Sequence, residues 1–484
     1  MSSSSTTKQA KSVPGPRGLP ILGNAHQLSN ELHKTCAKLS NEYGDVFRIR
    51  IGSRDVVVLN GADAIRQALV RQSIDFAGRP DILSFRTYKK IIGENISFTS
   101  YSPGWKLHRK LAETALRTFT AGRQRSVLEE KVIFEVEELI TFWTNNNNEE
   151  IVVDPANVIK LSVSNVMLSF IMGRRHELDN QKLLDFLSVS DDFAAATENG
   201  NPADFMPWLR YIAHGLVTKF ENVLHSYKNW FGSYIEEHKR DFQVGSEEDI
   251  LDYLCTATDG MNVNELAAAK ITKETLQSTV YDLFGAGFDT VSSTLIWAVL
   301  YLITYPEIQE RLYQELERNV GQNRNPNLDD RQNLPFTQAF LSETLRHSCV
   351  VPFTIPHATT RDVILGGKYN FRIPRDTVVF VNLHSVQHSK EVWDKPERFD
   401  PTRFLTEDGK ELDQTKVEKT MAFGAGRRRC LGSELGRNEL FLYVTNLVHK
   451  LSFSPYNKEE LTMDYIPGLS VRPLPFKVRL TLRD

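Results

Sequence analysis

Hydrophobic positions recur with two different periods along this chain. Near the N-terminus, the stretch "VFRIRIG" alternates the apolar residues Phe47, Ile49 and Ile51 with arginines, and a short turn leads into "VVVL". This period-two alternation predicts a β-hairpin with one buried face. Strand-like patterns return in "TVVFVNL" (377–383) and in "FKVRLTL" close to the C-terminus.

Most of the remaining pattern has the helical period. Apolar residues recur at every fourth position between Pro306 and Gly321, which predicts a helix between these two breakers. A second apolar stripe begins shortly after Cys430 and ends at Leu451, so another helix is expected there. No repeat or long linker divides the middle of the sequence. The pattern therefore predicts one large, mainly helical unit with smaller β-sheets.

Residues 284–304 form an apolar stretch that is long enough to cross a bilayer. It carries one charge, Asp289, together with two glycines and several hydroxyl groups, and amphipathic segments flank it. A helix that is apolar on all sides can equally be the central helix of a large protein. We expect a buried helix here rather than a membrane span.

The stretch contains "AGFDT", in which two glycines weaken one helical turn. Thr290 can bond back to a carbonyl of the preceding turn and loosen the helix further. Asp289 and Thr290 could then relay protons to a bound small molecule. The alternative is that the glycines allow close packing between helices, and this stretch alone favours that interpretation.

Composition narrows the class of protein. The chain has 484 residues, of which 41% are hydrophobic and 25% charged, so it can bury a core around a cofactor. The formal net charge of −3 gives no indication of a nucleic-acid partner. We expect a polar disordered tail over residues 1–13, a Pro/Gly hinge over 14–24 and a single domain over 25–484.

One of four widely separated cysteines lies in "FGAGRRRCLG", directly after three arginines. The wide spacing argues against a disulfide framework or a zinc knuckle. Cationic neighbours lower the pKa of a thiol, and glycines let the backbone approach a large ligand. A dinucleotide loop would need glycine where Arg429 stands, and no phosphate-loop Lys-Ser/Thr pair follows. The stretch therefore predicts that a thiolate at Cys430 faces a bulky ligand.

Two further pairs have helical spacing. Glu343 and Arg346 in "SETLR" share a helix face, as ordinary surface ion pairs also do. Trp105 and Arg109 in "GWKLHRK" direct an indole N–H and a guanidinium to one side, where together they could hold a carboxylate.

In combination and order, these motifs resemble the cytochrome P450 superfamily of haem-thiolate monooxygenases. The signature FxxGxRxCxG is matched in full from Phe423 to Gly432, and WxxxR, AGxDT and ExxR precede it. The resemblance covers the chain from the Pro-rich segment onward. It is strongest to animal microsomal family 1, the hydroxylases of planar aromatic compounds, and weaker to steroid 17α-hydroxylase/17,20-lyase. It implies a mainly α fold with smaller β-sheets and a long central helix over the haem.

The resemblance implies a role for each motif residue. Cys430 is the proximal ligand of the iron of haem b, in a loop that includes Phe423, Gly426 and Gly432. The haem propionates are expected to bond to Arg428, Trp105, Arg109 and His357. Thr290 and Asp289 are expected to supply protons for dioxygen activation.

A buried triad in this superfamily joins Glu343 and Arg346 to an arginine from a PxRF element. The sequence "KPERFDPTRF" contains two such elements, and the longer pattern PxxFxPxRF selects Arg403 over Arg398. We therefore expect that haem incorporation needs Arg403 and tolerates replacement of Arg398.

Seven residues are expected to line the substrate pocket by motif, although each can equally be a core residue: Phe98, Asp192, Phe193, Ala286, Val351, Ile355 and Leu469. Phe98 and Phe193 could stack on a flat polycyclic ligand. Asp192 departs from the asparagine that the family more usually has in this region, which affects the polar end of the pocket.

The implied reaction is hydroxylation or dealkylation of a lipophilic, planar aromatic or xenobiotic substrate, with O2 and electrons from NADPH. Two alternatives remain at this point, namely a steroid hydroxylase or lyase and a haem-binding protein without turnover.

The implied electron donors are a flavoprotein reductase and cytochrome b5. Lys106, Lys110, Arg427 and Arg429 form a basic patch suited to an acidic reductase, or simply a solvated charged face. The apolar segment 205–217 could touch a membrane surface. The implied location is the cytoplasmic face of the endoplasmic reticulum membrane, although the N-terminal anchor of family members is absent from this sequence.

Overall fold

The computed structural model describes residues 10–120, 125–145, 151–197, 201–212, 214–241 and 248–483. The α-helices of these residues are α1 (Leu32–Tyr43), α2 (Gly61–Arg66), α3 (Leu83–Ile91), α4 (Pro103–Thr120), α5 (Arg125–Thr144), α6 (Pro155–Met172), α7 (Gln181–Thr197), α8 (Pro202–Phe205), α9 (Leu209–Ile212), α10 (His214–Asp241), α11 (Ile250–Thr256), α12 (Val263–Ala269), α13 (Lys273–Thr304), α14 (Pro306–Asn319), α15 (Pro335–Ser348), α16 (His384–Gln387), α17 (Gln414–Lys419) and α18 (Ser433–Lys450). The strands are β1 (Lys11–Ser12), β2 (Val46–Ile51), β3 (Arg54–Leu59), β4 (Ile151–Val153), β5 (His357–Ala358), β6 (Val363–Leu365), β7 (Phe371–Ile373), β8 (Val378–Val381), β9 (Leu451–Pro455), β10 (Tyr465–Ile466), β11 (Arg472–Pro473) and β12 (Val478–Leu482). The prediction of a mainly helical protein with small sheets is confirmed.

Helix α13 forms the centre of the protein. Its N-cap Thr272 accepts the Thr275 N–H, and the helix ends where Pro306 opens α14. It packs against α6, α15 and α18, so nearly every side of it meets another helix. Both α6 and α13 are long and apolar enough to cross a membrane, but 72% and 78% of their apolar windows are buried inside the protein. The expectation of a buried central helix is therefore confirmed.

The predicted hairpin is present and forms part of a four-stranded sheet of order β2-β3-β8-β5. Val46 of β2 pairs with Leu59 of β3, and Val56 of β3 pairs in parallel with Val378 of β8. The other sheets have the orders β1-β7-β6, β4-β12-β9 and β10-β11. The C-terminal strand β12 lies between β4 and β9, so the two ends of the sequence contribute to different sheets.

The N-terminal segment is more ordered than the sequence predicts. Lys11 and Ser12 form strand β1 against β7, which corrects the expected disordered tail over residues 1–13 at its C-terminal end. In the expected hinge, the Arg48 N–H donates to Pro14 O at 2.7 Å. A Cβ on Gly15 would lie 1.9 Å from Arg48 O, so only glycine allows this approach. The segment 14–24 is therefore packed onto strand β2.

Histidine rings pack in a row between α1, α16 and α15. The ring centroids of His33 and His384 are 4.8 Å apart, and those of His384 and His388 are 4.2 Å apart. The His347 ring continues the row at 6.1 Å from His388. Burial, with a smaller effect of the Lys34 cation, lowers the pKa of His33 to about 4. Burial, with smaller effects of His33 and Lys34, lowers the pKa of His384 to about 3. These rings are neutral at pH 7.

Acidification should therefore destabilise the fold. Below pH 6.5 an unfolded histidine takes up a proton that folded His33 or His384 does not accept, so the free energy of unfolding falls as the pH falls. One such group contributes a loss of about 2 kcal/mol between pH 7 and pH 5. We expect H384Q to reduce the pH dependence of urea unfolding, measured by circular dichroism. The exposed His225 provides the control H225Q, and an identical pH dependence in both variants would contradict the assignment.

Candidate functional site

The Cys430 loop is a tight turn that leads into α18. The Cys430 N–H donates to Phe423 O at 2.9 Å, which closes the loop. Gly424 and Gly426 both have a φ of +69°, a left-handed conformation that favours glycine. A Cβ on Gly426 would lie 1.7 Å from Leu69 O, so the loop backbone rests directly on the segment after α2. The glycines of the motif thus fix the position of Cys430.

The Cys430 side chain is exposed on the wall of a cavity of about 540 Å³ between its own loop and α4. Although the cavity admits solvent, surrounding protein raises the pKa of the Cys430 thiol above its usual value. The Gly432 N–H and the cations of Arg109 and Arg429 oppose this increase but do not outweigh it. The predicted lowering of the thiol pKa is therefore wrong for the protein alone. A bound metal cation would favour the thiolate, because metal ligands must be deprotonated.

A cluster of guanidinium groups lies next to this loop. Arg428 donates to the carbonyls of Ala77, Ile96 and Thr99 at 2.9, 3.1 and 2.8 Å. Arg79 donates to the carbonyls of Ser97, Ile355 and Pro356 at 2.7, 2.8 and 2.9 Å. The third member, Arg109, donates to Arg429 O at 2.6 Å. All of these acceptors are backbone oxygens.

The cluster has an excess of positive charge. Within the described part of the chain, Arg79, Arg109 and Arg428 form no ion pair with a carboxylate. Burial, together with repulsion by Arg79 and Arg109, lowers the pKa of Arg428 to about 7. The same two effects, burial and the charge of Arg109, lower the pKa of Arg79 to about 9. Such an arrangement favours binding of an anion with more than one negative charge.

His357 and Trp105 lie beside the cluster but have other hydrogen-bond partners. The His357 ring is buried on β5, and its Nδ1–H donates to Phe76 O at 2.7 Å. Burial lowers the pKa of His357 to about 3, so the neutral ring presents an acceptor at Nε2. It becomes a donor to a carboxylate only when that carboxylate stabilises the imidazolium. Trp105 donates its indole N–H to Ile96 O at 2.9 Å, and Arg428 stacks over its ring at 3.9 Å.

The "AGFDT" turn is continuous helix within α13. A Cβ on Gly285 would lie 2.8 Å from the Tyr227 hydroxyl, and one on Gly287 would lie 2.4 Å from Met167 Cε. The glycines therefore do allow close packing between helices, the alternative that the stretch favours. Ala286 between them is exposed, although the helix around it is largely buried.

The two polar groups of this turn have defined partners. Thr290 Oγ1 donates to Ala286 O at 2.8 Å, the back-bond that the sequence predicts. Asp289 accepts a hydrogen bond at Oδ2 from the hydroxyl of Ser470, which lies in the loop between β10 and β11. An acid and a hydroxyl thus lie beside the exposed Ala286.

Glu343 and Arg346 form an ion pair with no exposed side-chain surface, not a surface pair. Arg346 Nε lies 2.6 Å from Glu343 Oε2, and Arg403 Nε lies 3.1 Å from Glu343 Oε1. The Arg398 side chain is exposed, and only its carbonyl takes part, as an acceptor from Arg403 at 3.0 Å. Arg403 is thus the PxRF arginine whose guanidinium contacts Glu343.

Three of the expected substrate residues share one cavity. Phe98, Ile355 and Leu469 line a space of about 130 Å³ between the β-sheet region and the 467–471 loop. The Phe98 ring packs at 4.8 Å from Phe85 and 4.6 Å from Tyr88.

Val351 and Ala286, which are also expected to contact substrate, do not line this cavity. Val351 packs against the core, and Ala286 lies on α13. Asp192 and Phe193 belong to α7, and their side chains lie outside the described residues.

Sequence analysis missed Arg79, which follows Gly78 in the short segment "AGRP" before α3. Gly78 packs closely because a Cβ there would lie 2.6 Å from Ala358 O. A single arginine forms no recognisable motif with its neighbours. The adjacent Gly78 was the one local feature that could have indicated a close approach of the backbone at Arg79.

Comparison with known proteins is consistent with this geometry. A family model described as "Cytochrome P450" matches residues 13–480. The chain is similar to Cytochrome P450 1A1 of Limanda limanda, with 41% identity over 97% of this chain and 91% of that protein. It is also 40% identical to Cytochrome P450 1A3 of Oncorhynchus mykiss, over 98% of this chain and 91% of the relative. Cytochrome P450 1A5 of Gallus gallus is 40% identical over 96% of this chain and 88% of its own length. The similarity to animal family 1 is confirmed.

The ion network around Glu343 makes the two PxRF arginines unequal. R403A removes one cation from a buried carboxylate and removes the hydrogen bonds that Arg403 donates to the carbonyls of Asp394 and Arg398. We expect a loss of about 3 kcal/mol in the free energy of unfolding. R398A should remain within about 0.5 kcal/mol of the unmodified protein, because its side chain is exposed. Equal unfolding midpoints for the two variants in urea would refute this assignment.

Proposed function

The chain belongs to the cytochrome P450 family of haem-containing monooxygenases, and from this premise we propose that it hydroxylates or dealkylates lipophilic, planar aromatic molecules with O2 and electrons from NADPH. The observation that carries the proposal is the position of Cys430. Its sulfur lies on the wall of a cavity, on a glycine-fixed loop, beside a cationic cluster whose three arginines form no ion pair with a carboxylate of the described residues.

The residues at this site fit a haem group. Cys430 provides the thiolate that ligates the iron. Arg79, Arg109 and Arg428 together provide positive charge for two propionates, and His357 joins them when their charge stabilises its imidazolium. Gly432 leaves space at the turn after the thiol, because a Cβ there would meet no described protein atom within 4 Å. When bound, haem supplies the activation of dioxygen and the insertion of one oxygen atom into the substrate.

The residues of α13 would handle protons. The Thr290 hydroxyl donates to Ala286 O within the helix, and a rotation about its side chain would direct the same proton towards a molecule beside Ala286. Asp289 is the residue before Thr290, and a carboxyl group is a common proton donor or acceptor in such relays. The two groups lie on one turn, so a proton can pass from the carboxyl side to the exposed side of the helix.

The substrate class follows from the cavity that contains Phe98. Its lining is largely apolar, and the rings of Phe85 and Phe98 provide flat surfaces for an aromatic ligand. We propose that Ile355 and Leu469 contact the same ligand and that Ala286 and Val351 contact the part of it that is oxidised.

Electron delivery would occur on the face of the Cys430 cavity. Two acidic side chains, Glu113 and Glu434, are outnumbered there by six cations: Lys106, Arg109, Lys110, Arg117, Arg427 and Arg429. A surface of this charge favours an acidic flavoprotein reductase, with cytochrome b5 as a second donor at the same face.

An apolar surface on another part of the protein supports membrane association. Ile21 is 75% exposed, Trp208 45% and Tyr211 63%. Their segments meet at one turn, because the Gly52 N–H donates to Leu22 O at 3.2 Å and the Ser53 N–H to Phe205 O at 3.1 Å. We propose that this surface contacts the cytoplasmic leaflet of the endoplasmic reticulum membrane.

The arginine cluster generates a prediction about haem retention. R79Q removes one of three cations that face the propionates, so we expect haem to dissociate at least tenfold faster to an excess of apomyoglobin. R86Q is the matched control, because Arg86 is an exposed arginine in the neighbouring helix α3. Equal rates of haem transfer in R79Q and R86Q would exclude Arg79 from the site.

The function itself is tested by turnover. The haem-loaded protein, with reductase and NADPH, should dealkylate an alkoxyresorufin, and C430S should lose this activity and the characteristic absorbance of the reduced carbon-monoxide complex. C255S is the control, because Cys255 lies on α11 and outside the Cys430 cavity. Oxidation of progesterone without dealkylation would instead indicate a steroid hydroxylase. Absence of any product with intact haem binding would indicate a haem-binding protein without turnover.

A further inference from the structure

Two distant segments of the chain meet at Asp289. Ser470 lies 181 residues further along the sequence, in the loop between β10 and β11, and its hydroxyl donates to Asp289 Oδ2. The Ser470 side chain is buried, with 2% exposure. A hydrogen bond between a buried hydroxyl and a carboxyl restricts the side-chain rotations of both residues.

The backbone around Ser470 is held in place on its C-terminal side. The Val471 N–H donates to Val350 O at 2.7 Å, and the indole of Trp297 donates to Val471 O at 3.0 Å. Trp297 is also part of α13, two turns beyond Asp289. The loop is therefore attached to the central helix at two points, once through its backbone and once through the Ser470 hydroxyl.

The residue before Ser470 faces a different environment. Leu469 lines the cavity of about 130 Å³ that also contains Phe98 and Ile355. A molecule that fills this cavity contacts Leu469, and Leu469 shares a peptide bond with the serine that holds Asp289. The shortest covalent and hydrogen-bonded path from the cavity to the acid is thus Leu469, Ser470, Asp289.

We propose that Ser470 is a positioning residue that holds the Asp289 carboxyl in one orientation. The orientation of this carboxyl then depends on whether a molecule occupies the cavity beside Leu469. In the empty cavity, the serine holds the carboxyl towards the loop. Displacement of Leu469 by a substrate shifts Ser470 and frees the carboxyl to turn towards Thr290. Proton supply is then greatest when a substrate is present, and less reduced oxygen is released as peroxide. This inference rests on the proposed role of Asp289 and Thr290.

The first test does not depend on turnover. Hydrogen–deuterium exchange of the peptide that covers residues 467–471 should be about tenfold faster in S470A than in the unmodified haem-loaded protein, the effect of losing one hydrogen bond to a carboxyl group. S470T keeps a hydroxyl at the same position and should restore slow exchange. S293A is the matched control, because Ser293 is buried on α13 and its hydroxyl has no partner among the described residues. Equal exchange in S470A and S293A would overturn the proposal.

The second test measures the yield of product and of hydrogen peroxide per NADPH oxidised. Because S470A frees the carboxyl whether or not Leu469 is displaced, we expect it to lower the ratio of peroxide to product at least threefold for a substrate too small to displace Leu469, with little change in KM. S470T should return the ratio close to the original value. S293A should leave the ratio unchanged. A raised KM with an unchanged ratio in S470A would indicate a structural effect on the pocket and would contradict the positioning role.

D289N separates failure of this inference from failure of the proposed function. If D289N raises the peroxide ratio but S470A behaves like S293A, Asp289 acts in proton supply without Ser470, and only the inference is wrong. If D289N leaves the ratio unchanged, the proton role of Asp289 is itself wrong.

Discussion

The site depends on one electrostatic constraint, namely the concentration of positive charge beside Cys430, where no carboxylate among the described residues forms an ion pair with the three arginines. Arg79, Arg109 and Arg428 donate only to backbone carbonyls, whose partial charges offset the cost of burial but do not cancel the mutual repulsion. Neutral His357 avoids adding a fourth charge. A ligand with two carboxylates would offset this repulsion, which is the physical basis of the proposed haem site.

The network around Glu343 also contains largely buried arginines, but here their positive charge is offset by a carboxylate of the protein. There the buried carboxylate contacts Arg346 and Arg403, and the remaining donors of both arginines reach the carbonyls of Gln387, Asp394 and Arg398. The Glu343 carboxylate forms ion pairs with both guanidiniums, an arrangement that suits a structural role. These two arginine clusters therefore differ in their contacts, because Glu343 forms ion pairs with Arg346 and Arg403, whereas the arginines beside Cys430 form no ion pair with a described carboxylate.

Helix α13 connects the Cys430 region with the cavity that is proposed to bind the substrate. Its glycines bring it into contact with Tyr227 and Met167, and this close packing leaves Ala286 as the exposed residue of the turn. The same turn carries Thr290 and Asp289, and Asp289 is bonded to the loop that contributes Leu469 to the cavity. The close packing of α13 and the residues proposed for proton transfer thus lie on a single turn of the central helix, which is bonded to the loop that carries Leu469.

The sequence by itself determined the features that depend on neighbouring residues. The hairpin, the buried central helix, the back-bond of Thr290 and the glycine-fixed thiol loop all follow from short-range patterns, because periodicity and backbone sterics act over a few residues. Only the tertiary structure decided which charged side chains form ion pairs, because the contacts of these side chains join residues that are far apart in the sequence. Arg428 reaches Ala77 across 351 residues, and Ser470 reaches Asp289 across 181. The pKa of Cys430 was mispredicted for the same reason. The protein that surrounds its cavity and raises the pKa includes remote residues of α4, whereas the adjacent arginines are visible in the sequence.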